Sequence, residues 1–386
     1  MDVENFSLDA FLGSLSIPEI IILCVASGSL VILLSYYFFI FSKVSFLKIK
    51  SGDNSTDMEP VSVIICARNE ALNLEKNLPA IFEQDYPEFQ VVVVNDCSWD
   101  ETEAVLDKFT KKYENLKIVT IKEQEKYSHG KKFALTLGIK AASNELLVMT
   151  DADCFPSGKN WLKTMVKNFS VENQIVLGYG SYHPEEGLLN KLIRFDTFHN
   201  ALQYFSFALA GTPYMGVGRN LAYKRSLFFA GKGFARHQHI LSGDDDLFVN
   251  ENATSANTVT ELNPESFTFS IPKKTWNDWR IQKIRHLSTS VFYKFSHRFF
   301  LGLYWVAQIF FGISIVALLF VQQDWKMFLA FLVIKIFSQM LVFGLAMKKM
   351  KESGLVWLMP FLDLILILIY PTFAVQGFFS KQTTWK

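Results

Sequence analysis

Net charge is almost absent from this 386-residue chain, where 38 Lys and Arg stand against 37 Asp and Glu. Such a balance gives no general attraction to polyanions, so no nucleic-acid partner is expected. Cysteine is scarce as well. Cys24, Cys66, Cys97 and Cys154 lie far apart with no CxxC, which argues against a zinc ribbon or a disulfide framework and suits a reducing compartment. Internal repeats and low-complexity tracts are missing. So is the basic start of a cleaved signal peptide, because the first residues carry Asp2, Glu4 and Asp9.

Apolar residues are abundant, at 50% of the chain with 37 Phe. They are concentrated. Ile17–Phe41 carries one charge, Glu19, and is long enough to cross a hydrocarbon core of roughly 30 Å. Lys43, Lys48 and Lys50 follow it, so the positive-inside rule puts residues 1–16 outside and the next segment in the cytoplasm. Three more apolar segments close the chain, at 301–321, 328–347 and 355–379, with Lys348, Lys349 and Lys351 between the last two. Pro360 and Pro371 could make the last segment re-entrant, a return that Lys381 and Lys386 favour; a full crossing is the expectation adopted. The expected organisation is a transmembrane helix at 17–42, a linker at 43–60, a catalytic domain at 61–270 and an interfacial segment at 271–300, followed by the membrane segments. It describes a multi-pass inner-membrane protein with its domain in the cytoplasm.

Within residues 61–270, short β-rich runs alternate with helical patterns. "VSVIICA" (61–67), "VVVVND" (91–96), "LKIVTI" (116–121) and "ELLVMTDAD" (145–153) read as strands. Helical patterns fall between the first two and the last two. The alternation predicts an α/β fold whose mainly parallel sheet is covered on both faces, with ligands at the carboxyl ends of its strands.

Polar motifs fall at those ends. Asp96 follows a buried strand and could accept hydrogen bonds from a nucleobase or a ribose, while Ser98 and Asp100 suit a helix N-cap. Lys131 opens a helix, where a cation opposes the helix dipole unless a bound phosphate resolves the conflict. Asp151 and Asp153 are two residues apart in an extended chain, so both carboxylates can point one way. That donor set suits Mg²⁺ or Mn²⁺ bridging a diphosphate, although a solvated turn fits as well. The run Asp244–Asp246 follows a glycine-rich stretch, "GVGRN", which includes Asn220 as a candidate ligand contact. A carboxylate beside a diphosphate could serve as general base; Asp245 is the choice and Asp244 the rival. Farther on, Arg285 in "QKIRH" could steady a departing diphosphate, or its helix could simply touch lipid headgroups. His237 and His239 read as ordinary loop histidines. Leu188–Ala210 reads as a helix that could lie on the membrane surface.

In this order, between membrane segments, these pieces resemble the family 2 inverting glycosyltransferases, over roughly Pro60–Ser290. The resemblance implies the GT-A fold, a Rossmann-like cytoplasmic domain, and a nucleotide-sugar donor. It implies that Ala67 and Glu70 of "CARNE" surround the nucleotide, that Asp96 binds the base, and that Lys131 lies near the diphosphate. Asp151 and Asp153 match the DxD pair, with Asp153 the metal ligand proper. Asp245 matches the base, while Gln282, Arg285 and His286 match the QxxRW signature with His in place of Trp. The acceptor implied is a lipid or glycan hydroxyl; a processive polysaccharide synthase is the runner-up. A non-catalytic transporter or scaffold is the reading of another class, prompted by Lys335 and Asp363 inside predicted spans. Each costs about 2.5–3.5 kcal/mol at mid-bilayer, so the two are expected to neutralise each other.

Overall fold

A computed structural model of the chain describes residues 16–49, 58–122, 130–240, 242–321 and 325–379. Most of the N-terminal segment, residues 50–57 of the expected linker, and Lys381 and Lys386 lie outside the described residues.

Helix α1 (Ile17–Ser35) continues through a π-helical turn, Tyr36–Phe41, into a short helix at Ser42–Ser45. Beyond the linker comes an alternation of strands and helices: β1 (Val61–Ala67), α2 (Ala71–Phe82), β2 (Phe89–Asp96), α3 (Thr102–Thr110), β3 (Leu116–Ile121), α4 (Lys131–Ala141) and β4 (Leu146–Asp151). All seven residues of β1 are buried, as expected of a central strand covered on both faces. Helix α4 approaches the sheet so closely that a Cβ at Gly138 would lie 2.8 Å from Ile64 and 2.9 Å from Val94. Only glycine fits there.

The next elements are β5 (Cys154–Pro156), α5 (Trp161–Val166), β6 (Ile175–Leu177), β7 (Gly180–Tyr182) and the long α6 (Leu188–Leu209). They are followed by β8 (Leu221–Lys224), α7 (Arg225–Ala230), α8 (Asp246–Asn252), β9 (Thr258–Thr260) and β10 (Thr268–Ser270). The main sheet has seven strands in the order β3-β2-β1-β4-β8-β6-β9, and a second sheet pairs β5-β10-β7. β1, β2, β3 and β4 are parallel, whereas β8 runs antiparallel to both β4 and β6. The result is the expected α/β architecture, a mainly parallel sheet turned mixed by β8.

The chain closes with α9 (Trp276–Thr289), α10 (Phe295–Val321), α11 (Trp325–Lys349) and α12 (Met359–Phe379). Among the described residues, four helical segments, Ile17–Ser45, Phe295–Phe320, Trp325–Lys349 and Ser353–Gly377, are long and apolar enough to cross a membrane. One face of the sheet packs on α2, α3 and α5 through Leu74, Leu78, Leu106 and Trp161. The other face shares a single core with the membrane helices, running from Ile64 and Val94 through Phe195 and Phe198 to Phe41, Tyr304 and Phe343. Helix α6 is the middle layer of that core, not a surface helix. Its polar residues find partners inside: Asp196 pairs with Lys283 at 2.9 Å, and His199 Nε2 lies 3.0 Å from the Tyr304 hydroxyl.

Candidate active site

Parallel strands deliver their carboxyl ends to one edge, and a cavity of about 1150 Å³ opens there. Cys66, Glu70, Lys131, Asp151, Asp153, Arg219, Asp244, Asp245, Asp246, Gln282, Arg285 and His286 all line it. Acids from β4 and from the segment before α8 therefore meet in one space. Ala67 and Asp96 end neighbouring strands but are fully buried and are not among the described lining residues. Asp100 ties two helix starts together, accepting from Ala71 N (3.2 Å) and from Thr102 N (3.0 Å).

Lys131 is the electrostatic centre of the cluster. Its ammonium lies 2.8 Å from Asp151 and 3.0 Å from Asp244. Burial opposes its charge, but Asp151, Asp244 and Asp245 outweigh burial and hold its pKa well above the ordinary value. Asp151 feels the reverse: burial pushes it up, and Lys131 with Arg219 and Arg285 brings it below the usual carboxylate range. At Asp153 the charges of Arg219 and Lys131 are too weak to prevail. Burial and the charge of Asp151 raise its pKa, so a cation at this pair would relieve an existing strain. Asp151, Asp153 and Cys154 offer ligand atoms within 4.8 Å of one another, and Cys154 Sγ donates to Asp153 at 3.4 Å. Burial holds the Cys154 thiol protonated, so the hard oxygen donors of the two aspartates are the ligand set that suits Mg²⁺ or Mn²⁺.

The three adjacent acids differ in their surroundings. Asp244 is committed to Lys131. Asp246 is buried and accepts hydrogen bonds from Thr289 Oγ1, Tyr293 Oη (2.6 Å) and Leu247 N (2.7 Å), which anchors the acid segment to the end of α9. Asp245 caps α8, accepting from Asp246 N at 2.8 Å and from Gly218 N at 2.6 Å. Burial, then the charges of Asp244 and Asp246, lift its pKa from 3.8 to about 7. A carboxylate poised there can take a proton near neutral pH.

Asn220 corrects the sequence reading. Its amide donates to Tyr179 O (2.9 Å) and Ser266 O (2.7 Å) and accepts from Trp161 Nε1 (3.0 Å), so it holds the wall together and offers nothing to a ligand. The neighbour that does face the cavity is Arg219, which the sequence reading missed. Its guanidinium lies 4.5 Å from the centre of the Tyr182 ring, and its carbonyl accepts from Thr150 (3.1 Å) and Thr268 (2.9 Å). Gln282 donates to the Tyr182 hydroxyl at 3.1 Å, so both groups share one support. His237 sits outside this cluster, 3.6 Å from Glu251, and burial and Lys132 lower its pKa to about 4.

A mostly parallel sheet with acids at its carboxyl edge defines an α/β domain of the GT-A class. The mannosyltransferase PcManGT from Pyrobaculum calidifontis, solved with GDP-Man and Mn²⁺, has a TM-score of 0.59 with this chain at 18% identity, covering 91% of this chain and 98% of that one. At that identity the likeness bears on the fold alone. Residues 62–229 match the family model Glycosyl transferase family 2, and the chain carries a domain of that family. Glycosyltransferase AglE of Haloferax volcanii is 34% identical over 144 residues, which is 36% of this chain and 45% of AglE. A poly-β-1,6-N-acetyl-D-glucosamine synthase of Staphylococcus epidermidis is 31% identical over 118 residues, 31% of this chain and 27% of the synthase. The chain spans about half the length, or less, of the curated relatives it matches.

Proposed function

We propose that the protein is an inverting glycosyltransferase. It moves a sugar from a nucleotide-sugar, with a UDP-sugar favoured, to a hydroxyl of a lipid or lipid-linked glycan on the cytoplasmic face of the inner membrane. The observation that carries this reading is the continuity of one cavity, from Asp153 and Asp245 to Trp305 of α10 and Tyr370 of α12. A donor would lie at the acidic end and an acceptor would come from the membrane side. The lysines after Ser42 and around Met350 support the orientation.

Asp151 and Asp153 would hold the divalent cation, which when bound supplies positive charge to the donor diphosphate. Arg285 and Lys131 would add charge to the leaving group, with Arg219 as a further cation on the same wall. Asp245 would take the acceptor proton as the hydroxyl attacks from the face opposite the diphosphate, which inverts the anomeric carbon. Gln282 would keep the segment bearing Arg285 in register through Tyr182. Glu70 would bound the nucleotide end, beside the backbone of Ala67 and Asp96, and His286 would face the acceptor.

The test is a panel of radiolabelled UDP- and GDP-sugars offered to membranes containing the protein, followed by lipid extraction. One donor should label the lipid fraction, EDTA should stop it, and Asp153→Ala should abolish sugar release from a protein that still folds. Labelling that survives Asp153→Ala would sink the proposal. Similarity to the polysaccharide synthase supports a second reading, processive synthesis. A long polymer made by purified protein from one nucleotide-sugar would select it.

A further inference from the structure

The cavity continues past the domain into the membrane helices. Gly302, Trp305 and Ile309 of α10 form one side of its far wall, and Tyr370, Pro371 and Ala374 of α12 form the other. Gly302, Pro371 and Ala374 remain exposed, and a Cβ at Gly302 would meet no atom within 4 Å. The two apolar helices touch where Trp305 stacks on Tyr370, with centroids 4.5 Å apart, and the wall stays open beside that contact, at Gly302, Pro371 and Ala374. Where charged and apolar halves of the cavity meet, Lys283 and Asp196 pair at 2.9 Å, and Asp196 also accepts from Tyr370 and Asn200. This is a polar collar above an apolar slot.

Helix α12 is fastened at both ends to the domain. Just before it, Glu352 accepts from Ser181 Oγ at 2.9 Å and pairs with Arg194. Near its other end, Phe373 packs edge-on against Trp279, with centroids 5.6 Å apart, and Gln376 accepts from Arg280 at 3.0 Å. Ser181, Arg194, Trp279 and Arg280 all belong to the stretch between the first and second candidate spans, on one side of the membrane. A helix crossing a core of roughly 30 Å would carry its far end away from that side.

We infer that α12 does not cross: it dips into the membrane and returns, and with α10 it frames a lateral opening for the acceptor. The acceptor class is a lipid whose hydroxylated head passes the collar while its hydrocarbon part stays in the slot. That identity rests on the glycosyltransferase reading above; the path of α12 does not.

Two measurements test the inference. With Cys24 and Cys97 replaced by alanine, Gln376→Cys should react with a membrane-impermeant maleimide only from the side where Trp99→Cys, on the exposed domain surface, reacts. Reaction from the opposite side overturns it. Second, Gly302→Trp should lower lipid labelling from the radiolabelled nucleotide-sugar by about tenfold or more, while Gly302→Ala should not. Slow hydrolysis of that nucleotide-sugar by water should persist in both variants, which certifies the fold and the donor end. Undiminished lipid labelling by Gly302→Trp overturns the opening. If the parent chain labels no lipid with any donor, the proposed function fails, and the maleimide result still decides the path of α12.

Discussion

Two lysine–aspartate contacts of nearly equal length lie at opposite ends of this molecule's chemistry. Lys131 meets Asp151 at 2.8 Å, and Lys335 meets Asp363 at 2.7 Å. The first pair keeps 20% and 34% side-chain exposure, toward the cavity, while the second keeps 9% and 1%. Lys131 is also shared with Asp244 and surrounded by further acids. Lys335 and Asp363 form a matched pair inside candidate membrane spans, as their sequence positions led one to expect. Distance alone does not distinguish function from structure here. An open cluster with surplus carboxylate can still gain a cation or a proton, whereas a closed, balanced pair only holds helices together.

The largest effect that sharpens the contrast is chemical. Asp245→Asn should lower sugar transfer by about 10²–10⁴-fold, the usual contribution of a general base. The protein should remain folded and bind the nucleotide, measured by fluorescence or calorimetry with UDP. A variant with near-parental turnover would move the base role to Asp244 or remove it from this segment.

Next in size is the closed pair. Lys335→Met or Asp363→Leu alone leaves one buried charge without its partner, and breaking such a pair typically costs about 3–5 kcal/mol. Yield and melting temperature in detergent should fall. The exchange Lys335→Asp with Asp363→Lys should recover most of the loss, because the pair is restored in reverse. Failure of that rescue would mean that the surroundings, not mutual neutralisation, fix these residues.

This contrast also marks what the sequence made legible. An acid at the end of a buried apolar run is conspicuous because charge there has to be compensated, so Asp151 and Asp153 stood out, and the Asp244–Asp246 run did so because three adjacent carboxylates repel one another. Strands β1, β2 and β4 were readable because continuous apolar runs need no partner to be recognised, and β3, with exposed Lys117 and Thr120, through its β-rich composition. Strands β6 and β9 have three residues each and take their identity from distant partners, which a short window does not reveal. Asn220 misled because an asparagine beside glycines looks like a ligand contact, while Trp161, Tyr179 and Ser266, which absorb it, are far away in sequence. Helix α6 lacked a clean apolar stripe because both of its faces are buried, and its polar residues are matched by Lys283 and Tyr304.

The smallest effect comes from protonation, and its sign differs between rate and stability. With its pKa near 7, Asp245 should be an effective base only above that value, so transfer should fall about tenfold per pH unit below it. Stability runs the other way. A carboxyl raised from 3.8 to about 7 on folding favours the folded chain at pH below 3.8, and that advantage is lost as pH rises through about 7. Asp245→Asn stays neutral throughout, so it should melt higher than the parent at pH 8, and the gap should close toward pH 4. The shift sets a ceiling of about 4 kcal/mol on that gain, and losing one of the two backbone acceptor contacts takes back about 1 kcal/mol. The gap should also narrow when Mg²⁺ alone is added, because a cation beside Asp151 and Asp153 makes the Asp245 charge easier to hold. A gap that ignores pH would show that the raised pKa belongs to another member of the cluster, and the open end of the comparison would lose its proton acceptor.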